Sequence, residues 1–507
     1  MARTPLMHLV RRAIAQAAAQ HNPSRRSFLQ TSALAAAAAA TPSILQSCTK
    51  APSVRIDRSV RVAVVGAGLA GLHAAWLLKK ANVDVALFEA SKRLGGRCLT
   101  ANNLLINGAW TELGGEFIDS GHGDMLSLAN SLGVELIDTQ SMRFQDNDTY
   151  YFHGRAYTMD DIVAAVEPFL ARIAADAEKL PPSLADLRTS PARSLDLLSL
   201  ESYFAGLGIE GWLRSMLEIA FVTENGLELG EQSALNLITM VSTDTSDGEF
   251  KPFGASDERF VVRGGVQRIT NALASAVQGS THTNHVLTDV SHNGEQFVIA
   301  FQHGIDAVHI AADHVVLALP FTMLRNVSLN IELPEIKRRV INELRYGTNG
   351  KLLMGFDDAF WNRNEQSGTI LTDLPLQLVW ENSYMQDVKG AGLTMFYGGS
   401  MSRVINGMSN KEAGAMMMQH LNTVWPFSAG NTPTRIERMH WPTQPYIKAS
   451  YSAYGPGQWT DFYGVEGASV GNLHFAGEHC SLQHKGYMNG AAETGRLAAE
   501  RILATIA

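Results

Sequence analysis

Three glycines in the run Val62-Ala63-Val64-Val65-Gly66-Ala67-Gly68-Leu69-Ala70-Gly71 have the spacing with which a backbone closes around a diphosphate. Gly66 permits a tight turn, Gly68 lets a pyrophosphate approach the main chain, and Gly71 lets the following helix pack closely on the strand before it. That helix offers its unpaired N–H groups and the positive end of its dipole to the phosphates, so Ala67, Leu69 and Ala70 belong to the same cradle. Glu89 stands eighteen positions after Gly71, where a carboxylate accepts from adenosine ribose hydroxyls and disfavours a 2′-phosphate. These residue types in this order bind a dinucleotide. A different chemistry is suggested by Lys351, which lies among Leu352, Leu353 and Met354. Burying an ammonium in an apolar strand is costly unless it is paired or its pKa shifts, so this lysine is a candidate functional group.

The elements that position these residues are legible in the hydrophobic pattern. Val62 to Val65 is a short apolar run suited to a strand buried on both faces, and Val83 to Phe88 repeats it. A helix is expected from about Asp124 to Leu132, with Met125, Leu128, Ala129 and Leu132 on one face and Gly133 as its stop. From there to about Ser256 the chain reads as mostly helical, with loops near Pro181-Pro182 and in the polar cluster from Thr243 to Gly248. Composition shifts at Phe260-Val261-Val262-Arg263-Gly264-Gly265, followed by a helix to Val277 and strands around Val286, Val290 and Phe297. Asp313 to Leu319 has the pattern of a buried strand, and Pro320 marks an exit from it. Near the end, Leu473 to Phe475 forms a strand, and a helix beginning at Tyr487 runs to about Ala504.

At 507 residues the chain exceeds the size at which a single core stops growing, and 46% hydrophobic residues supply material for two. The net charge of −8, without long charge runs, argues against nucleic acid or an anionic membrane as the main partner. The three cysteines, Cys48, Cys98 and Cys480, show neither a disulfide framework nor metal-ligand spacing. His479 and His484 flank Cys480 without a third ligand, so no metal is expected. No stretch is long and apolar enough to span a bilayer. The first 50 residues stand apart: Ser24-Arg25-Arg26-Ser27-Phe28-Leu29-Gln30 and the alanine-rich run to Ala40 resemble a twin-arginine export signal. Cleavage after Ala40 is one reading. Leu45-Gln46-Ser47-Cys48 also resembles a lipobox, which would leave Cys48 lipidated and the protein anchored to a membrane rather than spanning it.

Further motifs add a resemblance. Arg93-Leu94-Gly95-Gly96-Arg97 is similar to the second diphosphate-contacting element of the FAD-dependent amine oxidase superfamily. Trp110-Thr111-Glu112-Leu113-Gly114-Gly115-Glu116-Phe117 resembles the segment that passes beside the flavin ring. Tyr346-Gly347, Lys351, Phe356 and Phe360-Trp361 resemble the family strand whose lysine reaches flavin N5 through a water. Trp441 to Tyr446, Ser450 to Gly457, Leu473 to Glu478 and Gly486 to Gly495 resemble the closing segments. Together they cover Arg61 to Ile502, and the chain is identified as similar to the flavin monoamine oxidase family, as a bacterial exported member.

The resemblance implies an α/β and α+β architecture. A Rossmann-like FAD-binding domain is assembled from discontinuous segments, 56–123, 257–320 and 436–507. A mixed substrate domain comprises 124–256, a helical insert, and 321–435. It implies FAD held by Gly66, Ala67, Gly68, Leu69, Ala70, Gly71, Glu89, Arg97, Gly114, Gly115, Glu116, Val286, Gly477, Glu478, Tyr487 and Met488. Tyr451 and Tyr487 would form an aromatic cage, Trp441 would pack near the ring, and Lys351 would organise a water at N5. The implied reaction is hydride transfer from an amine α-carbon to the flavin, giving imine, then aldehyde and ammonia, with O2 reduced to peroxide. Ser450 stands where mitochondrial members carry the cysteine linked to FAD, which implies a non-covalent flavin. Glu116 occupies the region where amino acid oxidases place a carboxylate-binding arginine; it suits a cationic amine or contacts the cofactor.

Two alternatives stay open. An L-amino acid oxidase or tryptophan-2-monooxygenase-like enzyme would need an arginine such as Arg345 or Arg263. An FAD-dependent desaturase or a non-catalytic flavoprotein would use the same fold. A protein that closes around FAD fits export in the folded state through the twin-arginine machinery to a periplasmic or other extracytoplasmic location. The oligomeric state is open, a homodimer included, and so is the identity of the amine.

Overall fold

The computed structural model describes residues 56–139, 147–240 and 257–506. The export signal, Cys48 and the Thr243–Gly248 cluster lie outside the described residues.

The first strand, Arg58–Val65, has its last four residues buried and lies at the centre of an eight-stranded sheet. Val62 to Val65 pair in parallel with Val85–Phe88 on one side and with His314 to Leu317 on the other. A strand enclosed on both sides and both faces has no position for a polar side chain, which is why its sequence is an unbroken apolar run. The helix Leu69–Lys80 leaves this strand through Gly66 at φ +99°, and a β-carbon on Gly71 would lie 1.9 Å from the Gly66 carbonyl oxygen. Glycine is therefore obligatory where helix and strand meet. The terminal helix Met488–Ile506 packs on Leu69–Lys80, tied by His73 Nδ1 to the Ala492 carbonyl at 2.8 Å.

The twelve-residue strand Asp306–Leu317 pairs antiparallel with Phe297–His303 over its first half. Over its last three residues it pairs in parallel with Leu473–Phe475. Segments more than 150 residues apart thus complete one sheet. The chain does not leave this sheet at Pro320: Ser328–Asn330 pairs in parallel with Asp289 to Ser291. Proline ends the strand, but Phe321–Leu324 turns the chain back along the sheet edge.

A second sheet of seven strands holds Lys351. The order runs from Arg435–His440 through Gly350–Phe356, Ala391–Tyr397, Leu378–Glu381 and Ile370–Thr372 to the hairpin Thr149–Phe152 and Arg155–Tyr157. The hairpin modifies the expectation of a mostly helical segment after Leu132. Tyr150-Tyr151-Phe152 has strong strand preference, and His153 (φ +50°) and Gly154 (φ +80°) form a two-residue turn with both φ positive, which matches the twist of paired strands. Helices then follow as expected. Met159–Ala177 begins at a capping box between Thr158 and Asp161, and with Leu200–Leu207 and Gly211–Asn225 it packs against Leu371, Leu378, Trp380 and Phe396 of this sheet.

Candidate active site

A cavity of about 500 Å³ runs between the two sheets. The glycine turn enters its wall through Gly66, Gly68, Leu69 and Ala70, and Glu89, Arg97 and Val286 line it beside them. Gly114, Gly115, Glu116, Gly477, Glu478 and Met488 line it from later segments, and Lys351, Trp441, Tyr451 and Tyr487 face the same space. Ala67 and Gly71 do not line it. Ala67 N donates to Glu89 Oε2 at 2.9 Å and its carbonyl accepts from Gly95 N at 2.8 Å, so it joins the two glycine motifs from behind.

Glu478 ties three segments together. Its Oε1 accepts from Arg97 at 3.0 Å and Ser452 N at 3.2 Å, while Oε2 accepts from Ser452 Oγ at 2.7 Å and Gly486 N at 2.9 Å. Burial works against its charge, but Arg97, His479 and the Ser452 hydrogen bond outweigh that and hold it down to about 2. Arg97 also donates to the Ser450 carbonyl at 2.5 Å. The loop after Glu478 leads to the terminal helix, whose first residue, Met488, presents one of the N–H groups that have no acceptor within the helix.

Lys351 lies on the strand Gly350–Phe356, every residue of which is buried, between Phe396 and Met439 of the neighbouring strands. Its Nζ donates to the Glu112 carbonyl at 3.1 Å, the Gly114 carbonyl at 3.0 Å and Glu116 Oε2 at 2.9 Å. Trp380 Nε1 donates to the other Glu116 oxygen at 3.2 Å. Tyr451 Oη donates to the Thr223 carbonyl at 3.0 Å, which ties it to the Gly211–Asn225 helix. The Tyr487 ring meets the buried His122 ring edge-on at 5.1 Å. Trp441 Nε1 donates to the Leu113 carbonyl at 3.1 Å.

Several lining residues carry no sequence signal. Asp119, Glu258, Trp380 and Phe396 face the cavity, and the Glu258 N–H donates to Asp119 Oδ1 at 2.9 Å. Trp380 meets Glu116 across 264 positions, a separation that no local pattern encodes.

A family model for flavin containing amine oxidoreductases matches residues 69–503, most of the chain. The protein belongs to that family. A flavin-containing amine oxidase of Danio rerio is 24% identical to this flavin amine oxidoreductase over 461 residues, covering 87% of this chain and 85% of the relative. Two solved structures share the fold. Putrescine oxidase, wild type bound to putrescine, aligns with TM-score 0.76 at 22% identity, covering 88% of this chain and 99% of that one. Cyclohexylamine oxidase from Brevibacterium oxydans aligns with TM-score 0.76 at 23% identity and the same coverage. Residues 22–42 match the twin-arginine translocation signal, so this amine oxidoreductase carries an export signal.

The cofactor of the family is FAD, and the cavity wall fits it. Gly66, Gly68 and the start of the Leu69–Lys80 helix suit the diphosphate, Glu89 the ribose, and the Met488 helix start a developing negative charge. Among the described residues no group of three or more His, Cys, Asp or Glu is placed to hold a metal ion, and no helix is long and apolar enough to cross a membrane.

Proposed function

We propose that this flavin amine oxidoreductase oxidises an amine at its α-carbon, converting amine, O2 and water to aldehyde, ammonia and hydrogen peroxide. FAD, when bound, supplies the two-electron acceptor for the hydride and is reoxidised by O2. The protein's own residues do the rest. Tyr451 and Tyr487 offer electron-rich faces that admit an amine and orient its α-carbon, and Trp441 closes the space beside them. Lys351 supplies a fixed cationic side chain at the wall, and the Met488 N–H stabilises negative charge where the helix begins.

The observation that carries this reading is the convergence of Lys351, Trp441, Tyr451 and Tyr487 on the same cavity as the glycine cradle. Asp119 and Glu258 line it too, and carboxylates suit a cationic amine better than an amino acid carboxylate. The two arginines that an amino acid oxidase would call on are engaged elsewhere: Arg263 pairs with Glu135 at 2.7 Å and Arg345 with Glu231 at 3.6 Å, and neither lines the cavity. Peroxide release on a panel of amines and their α-carboxylated counterparts tests this. Turnover of amines alone is the expected result, and turnover of amino acids alone would reverse the assignment.

Non-covalent FAD is supported by Ser450, whose Oγ is bonded to Asn349 Oδ1 at 2.7 Å, and by Cys98, the cysteine that lines the cavity. Burial, with Glu112 adding to it, pushes the Cys98 thiol up to about 12, leaving little reactive thiolate. The export signal supports a periplasmic location with FAD loaded before export, and lipidation at Cys48 is the alternative processing that would anchor the exported protein to a membrane. Mass spectrometry of the mature N-terminus separates cleavage after Ala40 from a diacylated Cys48.

A further inference from the structure

Two helices are pinned together where they start, beside the cavity. The helix Gly123–Ser131 is joined to the terminal helix by Met125 N–H, which donates to Asn489 Oδ1 at 3.0 Å, and by Asp124, which pairs with Arg496 at 2.6 Å. His122, at the N-cap of the first helix, is 2% exposed, and its ring meets that of Tyr487 edge-to-face at 5.1 Å and 66°. The same histidine closes a loop with Asp119: His122 N–H donates to the Asp119 carbonyl at 3.0 Å, and Asp119 N–H donates to His122 Nδ1 at 2.9 Å. A ring nitrogen that accepts carries no proton, so the imidazole bears its hydrogen on Nε2. Burial lowers His122 to about 3, with His484 adding to the shift, so the ring is neutral near neutral pH. Nε2 lies 3.4 Å from Asp119 Oδ2 without the geometry of a hydrogen bond, and among the described residues it has no hydrogen-bond partner. The electron-rich Tyr487 ring stands beside it, a surface on which an N–H rests favourably. Because the ring is neutral, the Asp119 charge is left uncancelled. Asp119 and Tyr487 both line the cavity, and His122 stands behind them.

We propose that His122 is a positioning residue for the substrate: it fixes the Asp119 carboxylate and the Tyr487 ring relative to each other, so that one cationic amine meets both. The inference rests on the reading that the cavity receives an amine, and it adds the residue that spaces the two receiving groups. The carboxylate attracts the ammonium and the ring face holds it. Each of them reaches His122 through a separate contact, the Nδ1 acceptor for Asp119 and the ring edge for Tyr487.

The test uses tert-butylammonium, a cation with no hydrogen on its α-carbon and therefore no hydride to give, so it binds without turnover. Its dissociation constant is read from the change in flavin absorbance of the holoprotein. His122→Asn keeps an oxygen that accepts from Asp119 N–H but removes the ring, whereas His122→Phe keeps a ring and removes the acceptor. Each is expected to weaken tert-butylammonium binding by about tenfold while FAD retention stays as in the wild type. Unchanged binding in either variant overturns the proposal, since one contact alone would then suffice. Weakening that comes only together with loss of FAD assigns His122 to the fold and overturns it as well. If the wild type neither binds the probe nor releases peroxide from any amine, the reading of the cavity as an amine site falls too. Should neither variant fold, heteronuclear NMR of the histidine rings in the wild-type holoprotein decides. His122 is expected as the neutral Nε2–H form with that proton shifted upfield by the Tyr487 ring, and an Nδ1–H form or an unshifted proton would overturn the proposal.

Discussion

Burial pushes the Glu112 carboxyl up to about 8, with the Val266 N–H opposing and Glu116 adding to the shift. The unfolded carboxyl releases its proton near 4.5 and the folded one near 8, so between these values the folded state holds the extra proton and stability falls as pH rises. Glu112→Gln cannot ionise and should lose that slope, which is at most about 1.4 kcal/mol per pH unit. Urea midpoints from pH 5 to 9 check this: the wild type should lose ground to the variant through the window, and a constant gap would refute a buried neutral acid. The neighbouring glycines make a second case. A β-carbon on Gly114 would lie 1.8 Å from the Arg97 carbonyl oxygen, whereas one on Gly115 would meet the end of the Met488 side chain at 2.7 Å. Backbone cannot step aside and a thioether can, so Gly114→Ala should abolish FAD retention or cost more than about 3 kcal/mol. Gly115→Ala should keep the fold and bind FAD more weakly, as measured by flavin fluorescence and thermal unfolding. At Ser450 the expectation is simpler: acid or urea should release all the FAD into the filtrate, and flavin retained on the denatured chain would mean a covalent link. At this scale the sequence named the glycine pair and the lysine but not the partner of either, because Glu116, Trp380 and Lys351 meet only through folding.

Two elements deliver the cavity-facing end of the terminal helix: the turn at Glu478 and the loop through Lys485 and Gly486. Lys485 Nζ pairs with Glu466 Oε1 at 2.9 Å, and Tyr454 Oη donates to the same oxygen. Both charged side chains are nearly inaccessible, so removing one partner strands the other. Lys485→Met should therefore destabilise the protein by about 3–5 kcal/mol and raise the FAD dissociation constant by loosening the approach to Met488. Adding Glu466→Gln should recover part of the loss, since it removes the stranded charge; no recovery would mean that packing, rather than the pair, holds the loop. The elements themselves were largely readable. Buried parallel strands have a distinctive unbroken apolar pattern, and the Asp124–Leu132 helix was displaced by only one residue, to Gly123–Ser131. The hairpin Thr149–Tyr157 was not readable, because short strands at the margin of a sheet have too few residues to establish a period against the long helical pattern that follows.

At the scale of the whole molecule, acid should undo the fold through its buried histidines. Burial lowers His122 and His479 to about 3 and His474 to about 4, from the ordinary 6.5. Unfolded histidines take up protons below 6.5 while these remain neutral, so stability falls as pH drops from about 6.5 toward 3–4. Glu478, held to about 2, adds to the loss once the pH passes below the ordinary 4.5. Denaturant titrations from pH 7 to 4 should show a steady loss, which His479→Phe or His474→Phe would reduce if the replacement packs; an unchanged slope in both would point to other groups. By itself the sequence determined the glycine turn between strand and helix, the export signal and the strands that flank the first turn, because each depends on residues within a few dozen positions of one another. Only the tertiary structure decided what Lys351 touches, that Ala67 and Gly71 brace the cradle rather than line it, and which acids reach the cavity. Those outcomes depend on segments hundreds of residues apart closing on one space, where the same lysine becomes a donor to solvent or half of a buried ion pair according to which oxygens arrive beside it.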